Sequence, residues 1–348
     1  MLACGAMHMR AMSNYVSTPK TPFHYYSDAV AAVSRTLRGE LGAHGEYNAL
    51  GTYNDSFDAL VISIILLYIY GTWTAADIRS NEDRCHHVRG ATQLLKMRYC
   101  QTTDPFPLRP IDRVIIESVL CQHFLLTARH PFFPNAFVDT EFWASMESVL
   151  GGATCSADFS TANRPILGVL IPLCRLILTI VQLNRSPLRG DAATLTATKQ
   201  EMAYWEASIE ETQFENTHAM GIYNALVVEY VLAASLMLDW IVDAAPSQEA
   251  HPFNIPYGES WQLRRAIDVL KRMVYKDKWT RCYLGMWPLQ ILGYAVDAEG
   301  DIALIREDLD RRGHVTGMGE ARMVRSELEA LWRTRKDSAG GLGAASME

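Results

Sequence analysis

Apolar residues return at helical spacing along most of the chain, and no segment alternates apolar and polar residues as a half-buried strand would. In residues 111–129, for example, Val114, Ile115, Val119 and Leu120 return at helical spacing. Helices are predicted over residues 25–38, from the capping residues 54–56 onward, and over 81–99, 111–129, 139–150, 165–184, 191–213, 217–244, 258–279, 282–296, 299–312 and 318–336. The pattern predicts an all-α fold, a single large irregular domain of about ten to twelve helices.

Breaks in this helical pattern predict the domain organisation. Residues 1–53 are expected to form an N-terminal extension with one helix, 25–38, and residues 54–336 to form the helical domain. The closing residues 337–348, rich in Gly and Ala, predict a disordered tail. Residues 151–165 resemble a loop and predict a flexible connection.

The composition is that of a folded intracellular protein. Hydrophobic residues make up 49% of the chain, which excludes the disordered class because enough surface can be buried. A net charge of −7 argues against bulk electrostatic binding of nucleic acid. The seven cysteines are scattered, odd in number and without a Cys-x-x-Cys pair, so reduced thiols are predicted.

Two apolar stretches raise the question of a membrane span. The longest uncharged stretch, Ala59–Ala76, turns polar after Tyr70, whereas a span needs about 20 apolar residues. The second stretch, 165–183, carries Arg175 at its centre, which a lipid-facing helix would avoid. Buried helices, a soluble protein and no membrane partner are therefore predicted.

Motif searches leave one weak metal candidate. No Gly-x-x-x-x-Gly-Lys-Ser/Thr loop and no Gly-x-Ser-x-Gly elbow occurs in the sequence. Glu215 and His218 have the Glu-x-x-His spacing that places a carboxylate and an imidazole on one side of a helix, and Glu211 lies one turn earlier. The second such pair that a di-iron site needs is missing, so a surface charge and a helix cap are the favoured interpretations. We predict no catalytic residue, no metal site and no cofactor, and we expect that the protein is not an enzyme.

Positive charge concentrates towards the C-terminus. From Trp261 to Lys336 the net charge is +4, whereas the remainder of the chain carries −11. The predicted helix 258–279 carries six basic residues with apolar ones between them: Arg264, Arg265, Lys271, Arg272, Lys276 and Lys278. They indicate either a docking face for an acidic partner or the solvated side of an amphipathic helix, and the second interpretation is favoured.

Two segments carry a family resemblance. The stretch HHVRGATQLLKMR resembles the His-hydrophobic-x-Gly-Ala-x-x-Leu-hydrophobic segment in the regulatory domain of fungal zinc-cluster transcription factors. The stretch MWPLQILGYAVDAEGDIALIREDL, with the later LEALWRTR, is similar to the closing Trp-Pro-Leu…Gly-x-Ala…Trp pattern of that family. The likeness covers residues 54–335 and rests on apolar positions and small residues.

Five residues of these segments are expected to be structural. Gly90 and Ala91 have almost no side chain, so another helix is expected to approach closely there. His87 lies one turn before Ala91, where a ring nitrogen is expected to bond the backbone of a neighbouring helix. Trp287 and Pro288 are expected to start a helix, with the indole packed in the core.

The resemblance implies a regulator and not a DNA reader. Family members carry six closely spaced cysteines that hold two zinc ions, whereas the first 54 residues here contain only Cys4 and no basic cluster. No DNA-binding residue is therefore predicted. The implied function is that of a nuclear transcriptional regulator or co-regulator, located in the nucleus or in both the cytoplasm and the nucleus. It is expected to control a fungal metabolic or secondary-metabolite gene cluster.

The implied partners are proteins and a small-molecule effector. The protein partner is expected to be a second copy of the chain or a complete zinc-cluster factor. The alternative function is a helical scaffold recruited as a biosynthetic enzyme or as an auxiliary protein of such a pathway.

Overall fold

The fold is all-α, as the sequence predicts. The computed structural model describes residues 22–43, 55–73, 78–100, 108–129, 139–150, 170–185, 192–210, 222–243, 260–273 and 276–344, and no strand occurs in them. The helices there are α1 (Pro22–Ala43), α2 (Asp55–Trp73), α3 (Ile78–Tyr99), α4 (Pro110–Ala128), α5 (Thr140–Val149), α6 (Ile171–Arg185), α7 (Ala192–Glu210), α8 (Ile222–Asp243), α9 (Trp261–Arg272), α10 (Lys276–Arg281), α11 (Met286–Ala295), α12 (Glu299–Thr316) and α13 (Gly319–Ala344).

Several helix starts follow from capping chemistry that the sequence shows. The side chain of Asp139 accepts a hydrogen bond from the backbone N–H of Phe142 at 3.0 Å and so caps α5. Ser260 caps α9 in the same way, accepting from the N–H of Leu263 at 3.1 Å. Pro110 occupies the first position of α4, where its missing N–H is not needed.

The predicted single helix 258–279 is wrong. The structure has two helices, because α9 ends at Arg272 and Met273 adopts an extended backbone with ψ of 109°. The sequence has neither Gly nor Pro at this point, and Val274 and Tyr275 only weakly disfavour a helix. The six basic residues therefore lie on two helices, with Lys276 and Lys278 on α10.

The C-terminal tail is also corrected. The sequence predicts disorder from residue 337, whereas α13 continues to Ala344. Adding residues to a helix that has already formed requires little further ordering per residue, which outweighs the glycines in this segment.

The first compact unit comprises the described residues within 1–123, 139–169 and 317–320. Helix α2 packs against α3, which contributes the buried side chains of Val88, Ala91 and Leu95. Helix α1 also packs against α2. The helix that the sequence places in a separate N-terminal extension therefore belongs to this unit.

The second compact unit comprises the described residues within 124–138, 170–316 and 321–348. Its central helix is α8, which packs against α6, α7, α9 and α11. The residues of α8 from Val231 to Leu238 are all buried. Residues 54–336 contribute to both units.

Helix α8 contains a membrane candidate that was not among the two apolar stretches above. Asn224–Asp243 is long and apolar enough to cross a membrane by length and composition, with a mean hydropathy of 1.9. In the structure 83% of it is buried inside the protein, which is typical of the core helix of a globular unit.

Two helical glycines are predicted to respond oppositely to the same substitution. A Cβ at Gly293 on α11 would overlap Cδ1 of the buried Leu328, so Gly293→Ala should lower the free energy of unfolding by about 1–3 kcal/mol. A Cβ at Gly90 on α3 would have no described atom within 4 Å, so Gly90→Ala should raise it by about 0.5–1 kcal/mol. Urea unfolding of both variants measures the two changes, and equal effects would contradict the packing described.

Candidate functional site

The predicted metal candidates Glu211, Glu215 and His218 lie outside the described residues. Within the part of the chain that the structure describes, no group of three His, Cys, Asp or Glu side chains could hold a metal ion. The cysteines described there form no disulfide.

The family-like segment of α3 holds helices of the first unit together. Nε2 of His87 shares a hydrogen bond of 2.9 Å with the hydroxyl of Tyr26 on α1, and Tyr26 stacks on Tyr70 of α2 at 4.6 Å between ring centroids. The expected partner was backbone, and the structure shows a side chain, that of Tyr26, as one partner of this ring. Ala91 is fully buried, but Gly90 meets no described neighbour and so makes no close helix contact there.

The Trp-Pro segment lies at the first turn of α11. Pro288 is the third residue of this helix, and Trp287 is 2% exposed. The indole N–H of Trp287 donates to the carbonyl of Ala128 at 3.1 Å, and its ring packs against Phe124 and Tyr230. These contacts place Trp287 in an aromatic cluster of the second unit.

A network of charges that the sequence pattern does not reveal joins α2, α3 and α4 in the first unit. Arg98 and Arg109 each bind both Asp58 and Asp112, at distances of 2.6–3.2 Å. Burial raises the pKa of Asp112, but hydrogen bonds from Arg109 and Tyr99 outweigh it and hold that pKa below its usual value. Every charge here has an opposite partner, so the network is suited to fixing helices and not to reacting.

A buried imidazole–indole pair lies in the same unit. Nδ1 of His123 accepts a hydrogen bond from the indole N–H of Trp143 at 3.0 Å. Burial lowers the pKa of His123 to about 4, so the ring is neutral at physiological pH. A neutral ring that is already used as an acceptor is a structural element.

The second unit contains a buried cluster of an arginine, two acids and a tryptophan, from α8, α10 and α12. Nε of Arg312 lies 3.3 Å from Oδ1 of Asp308, and Nη1 donates to the carbonyl of Cys282 at 2.7 Å. The indole N–H of Trp279 donates to Oδ2 of Asp308 at 2.5 Å, while the guanidinium of Arg312 lies over the Trp279 ring, 4.7 Å from its centre. Asp308 thus connects two helices.

Glu229 of α8 completes this cluster. It is fully buried, and neither carboxylate oxygen has a hydrogen-bond partner among the described residues. Burial, and next the charge of Asp308, raise the pKa of Glu229 well above its usual value. The side chain therefore favours its neutral, protonated form, which makes its burial tolerable.

A tyrosine–glutamate pair links α11 to α13 in the second unit. Tyr294 donates a short hydrogen bond to Glu327 and accepts one from Nε2 of Gln290 at 3.0 Å. Burial raises the pKa of both Tyr294 and Glu327. Together with the bond from the Trp332 indole to the carbonyl of Gly293, at 2.9 Å, the pair fastens α13 to the unit.

The exposed side of α9 and α10 is the candidate site for binding a partner. Its exposed charged residues comprise six basic and two acidic ones: Arg264, Lys271, Arg272, Lys276, Lys278 and Arg281, against Asp268 and Asp277. Beside them α9, α10 and α12 enclose a shallow surface depression, the α9–α12 depression, lined by Leu270, Met273, Lys276, Trp279, Leu304, Asp308 and Arg311. Trp279 and Asp308 of the buried cluster are part of this lining.

The sequence identified the basic residues but not the depression. Its lining comes from three helices up to 41 positions apart, from Leu270 to Arg311. The one local signal was the low helix propensity of Val274 and Tyr275, where α9 and α10 separate.

Comparison with known proteins identifies no relative. No protein-family model matches the chain, and no curated protein and no solved structure matches it.

Proposed function

We propose that this chain is a transcriptional regulator or co-regulator that acts through contacts with other proteins. The proposal starts from the resemblance of residues 54–335 to the regulatory domain of fungal zinc-cluster factors. A nuclear location and control of a metabolic gene cluster belong to the same proposal.

The burial of residues in the family-like segments supports this proposal. Val88, Ala91 and Leu95 of the first segment are buried in the first unit, and Trp287 of the second is buried in the second unit. These residues therefore serve helix packing in an all-α body, as a regulatory domain requires. The basic side chains of α9 and α10 remain on the surface for contacts with partners.

A tethering experiment tests this function. The full chain is fused to an unrelated DNA-binding module and expressed in a fungal cell with a reporter gene that carries the module's site. We expect a several-fold change in transcription relative to the module alone. Ala91→Glu, which buries a charge in the first unit, should abolish the change, and Gly90→Glu on a half-exposed neighbour should preserve it.

The enzyme alternative predicts a different experimental result for the same protein. In its metal-dependent version Glu211, Glu215 and His218 meet a His or Glu of another helix around a metal ion. A silent reporter, at normal levels of the fusion, together with stoichiometric iron, manganese or zinc in the purified chain would replace the regulator proposal with that alternative.

A further inference from the structure

Ser338, near the end of α13, follows two basic residues at the spacing that basic-directed protein kinases recognise. Arg335 and Lys336 lie three and two positions before it, and no other Ser or Thr of the sequence has Lys or Arg at both of these positions. Kinases of this class select a hydroxyl by the pattern of charges around it, because their acidic subsites bind the basic side chains. The sequence therefore distinguishes this hydroxyl from all the others in the chain.

The structure places this hydroxyl on the surface. Ser338 and Lys336 are exposed, and Oγ of Ser338 donates to the carbonyl of Thr334 within the helix at 2.9 Å, in a bond that water can replace. Thr92 and Thr280 each follow one basic residue at this spacing, but both are buried. Charge pattern and exposure thus coincide at Ser338.

The end of α13 can leave the helical conformation at low cost, which a kinase requires because it takes up the residues around the hydroxyl in an extended form. The segment after Ser338, AGGLGA, contains three glycines, each less favourable than Ala in a helix by about 1 kcal/mol. Unwinding must release Arg335, whose Nη1 donates to the carbonyl of Tyr294 at 2.8 Å. The guanidinium is then available to the kinase.

We propose that Ser338 is a phosphorylation site for a serine/threonine kinase that recognises Arg335 and Lys336. Oγ of Ser338 attacks the γ-phosphorus of ATP and forms the new O–P bond, while the bond from that phosphorus to the β,γ-bridging oxygen breaks and ADP leaves. The proton of the hydroxyl passes to the carboxylate base of the kinase. This inference goes beyond the proposed function and does not depend on it.

The modification changes the charge at the end of α13. Residues 333–338 contain three basic residues and Asp337, a net charge of +2. A phosphoserine adds a charge of about −1.5 to −2 at neutral pH, so the segment becomes nearly neutral. A change of that size alters which molecules this surface attracts.

Phosphorylation of the purified full chain tests the inference. The probe is the catalytic domain of a cyclic-AMP-dependent protein kinase, which selects basic residues at these two positions, together with radiolabelled ATP. We expect incorporation to approach about one phosphate per chain, mass spectrometry to assign it to Ser338, and Ser338→Ala to abolish it. Lys336→Glu reverses a charge that the kinase recognises and should lower the initial rate about tenfold or more.

Two controls distinguish this site from phosphorylation elsewhere. Lys276→Glu, an equally exposed charge reversal on α10, should leave the rate unaltered. Ser326→Ala removes another exposed serine of α13, which has Met323 and Val324 at the two recognised positions, and should leave the incorporation unaltered. The urea midpoints of all four variants should match that of the unaltered chain, because each substitution is on the surface.

Three results would overturn the proposal. The first is that the native chain is not phosphorylated, or is phosphorylated only after unfolding in urea. The second is that incorporation persists in Ser338→Ala, and the third is that Lys336→Glu is phosphorylated as fast as the unaltered chain. None of them bears on the tethering experiment, which tests the regulator function separately.

Discussion

Removing the carboxylate of Asp308 is expected to destabilise the second unit strongly. Asp308→Ala leaves the guanidinium of Arg312, 2% exposed, without its acidic partner and removes the acceptor of the Trp279 indole. A buried charge that loses its partner costs about 3–5 kcal/mol. The free energy of unfolding, measured by urea denaturation followed by tryptophan fluorescence, should fall by that amount.

Two further variants distinguish this explanation from a general sensitivity of α12. Asp310→Ala, two positions away, removes an exposed acid that pairs with Arg325 and should cost less than about 1 kcal/mol. The double variant Asp308→Leu with Arg312→Met removes both charges, so it should be more stable than Asp308→Ala alone. If Asp308→Ala were as mild as Asp310→Ala, the ion pair would not have the role described.

Mild acid is expected to destabilise the first unit through His123. In the folded protein the pKa of His123 is lowered to about 4, whereas in the unfolded chain it returns to its ordinary value of 6.5. Between these two values the unfolded state binds a proton that the folded state does not, so stability is lost as pH falls from about 6.5 to about 4. Above pH 6.5 this loss of stability is absent, and below pH 4 it reaches its full size of about 3 kcal/mol.

Replacement of this histidine should remove that part of the pH dependence. His123→Gln keeps an acceptor for the Trp143 indole but does not titrate, so its free energy of unfolding should fall less steeply between pH 6.5 and 4 than that of the unaltered chain. His314→Gln, an exposed histidine on α12, should follow the unaltered chain. Parallel curves for all three proteins would contradict a neutral buried His123.

The buried polar groups share a feature that bears on function. Each cluster connects different helices: Asp58 and Asp112 bind arginines, Asp308 binds Arg312 and Trp279, and Glu327 binds Tyr294. Their partners are other side chains of the same unit, so they stabilise particular helix arrangements. Contacts with other molecules are therefore expected at the surface, for example on the basic side of α9 and α10.

Local patterns were enough to predict most helices and several of their ends. The spacing of apolar residues predicts α4 and α8, and Asp139 caps α5 where the sequence places a helix start. The break between α9 and α10 was missed because no Gly or Pro marks it, and the end of α13 was placed too early. Both errors occurred where tertiary packing and chain continuation outweigh residue propensity.

The candidate site was less predictable than the helices. The basic residues of α9 and α10 were visible in the sequence, but their division over two helices and the depression beside them were not. The sequence likewise could not identify Tyr26 as a partner of His87, because Tyr26 lies 61 positions earlier.

The sequence by itself determined that this protein is all-α and which faces of its helices are apolar, because both depend on the 3.6-residue period of the chain. Only the tertiary structure decided which charges meet, such as Asp58 with Arg109, and where the α9–α12 depression opens. Side chains distant in sequence come together through the packing of whole helices, and a local sequence pattern does not indicate how those helices pack.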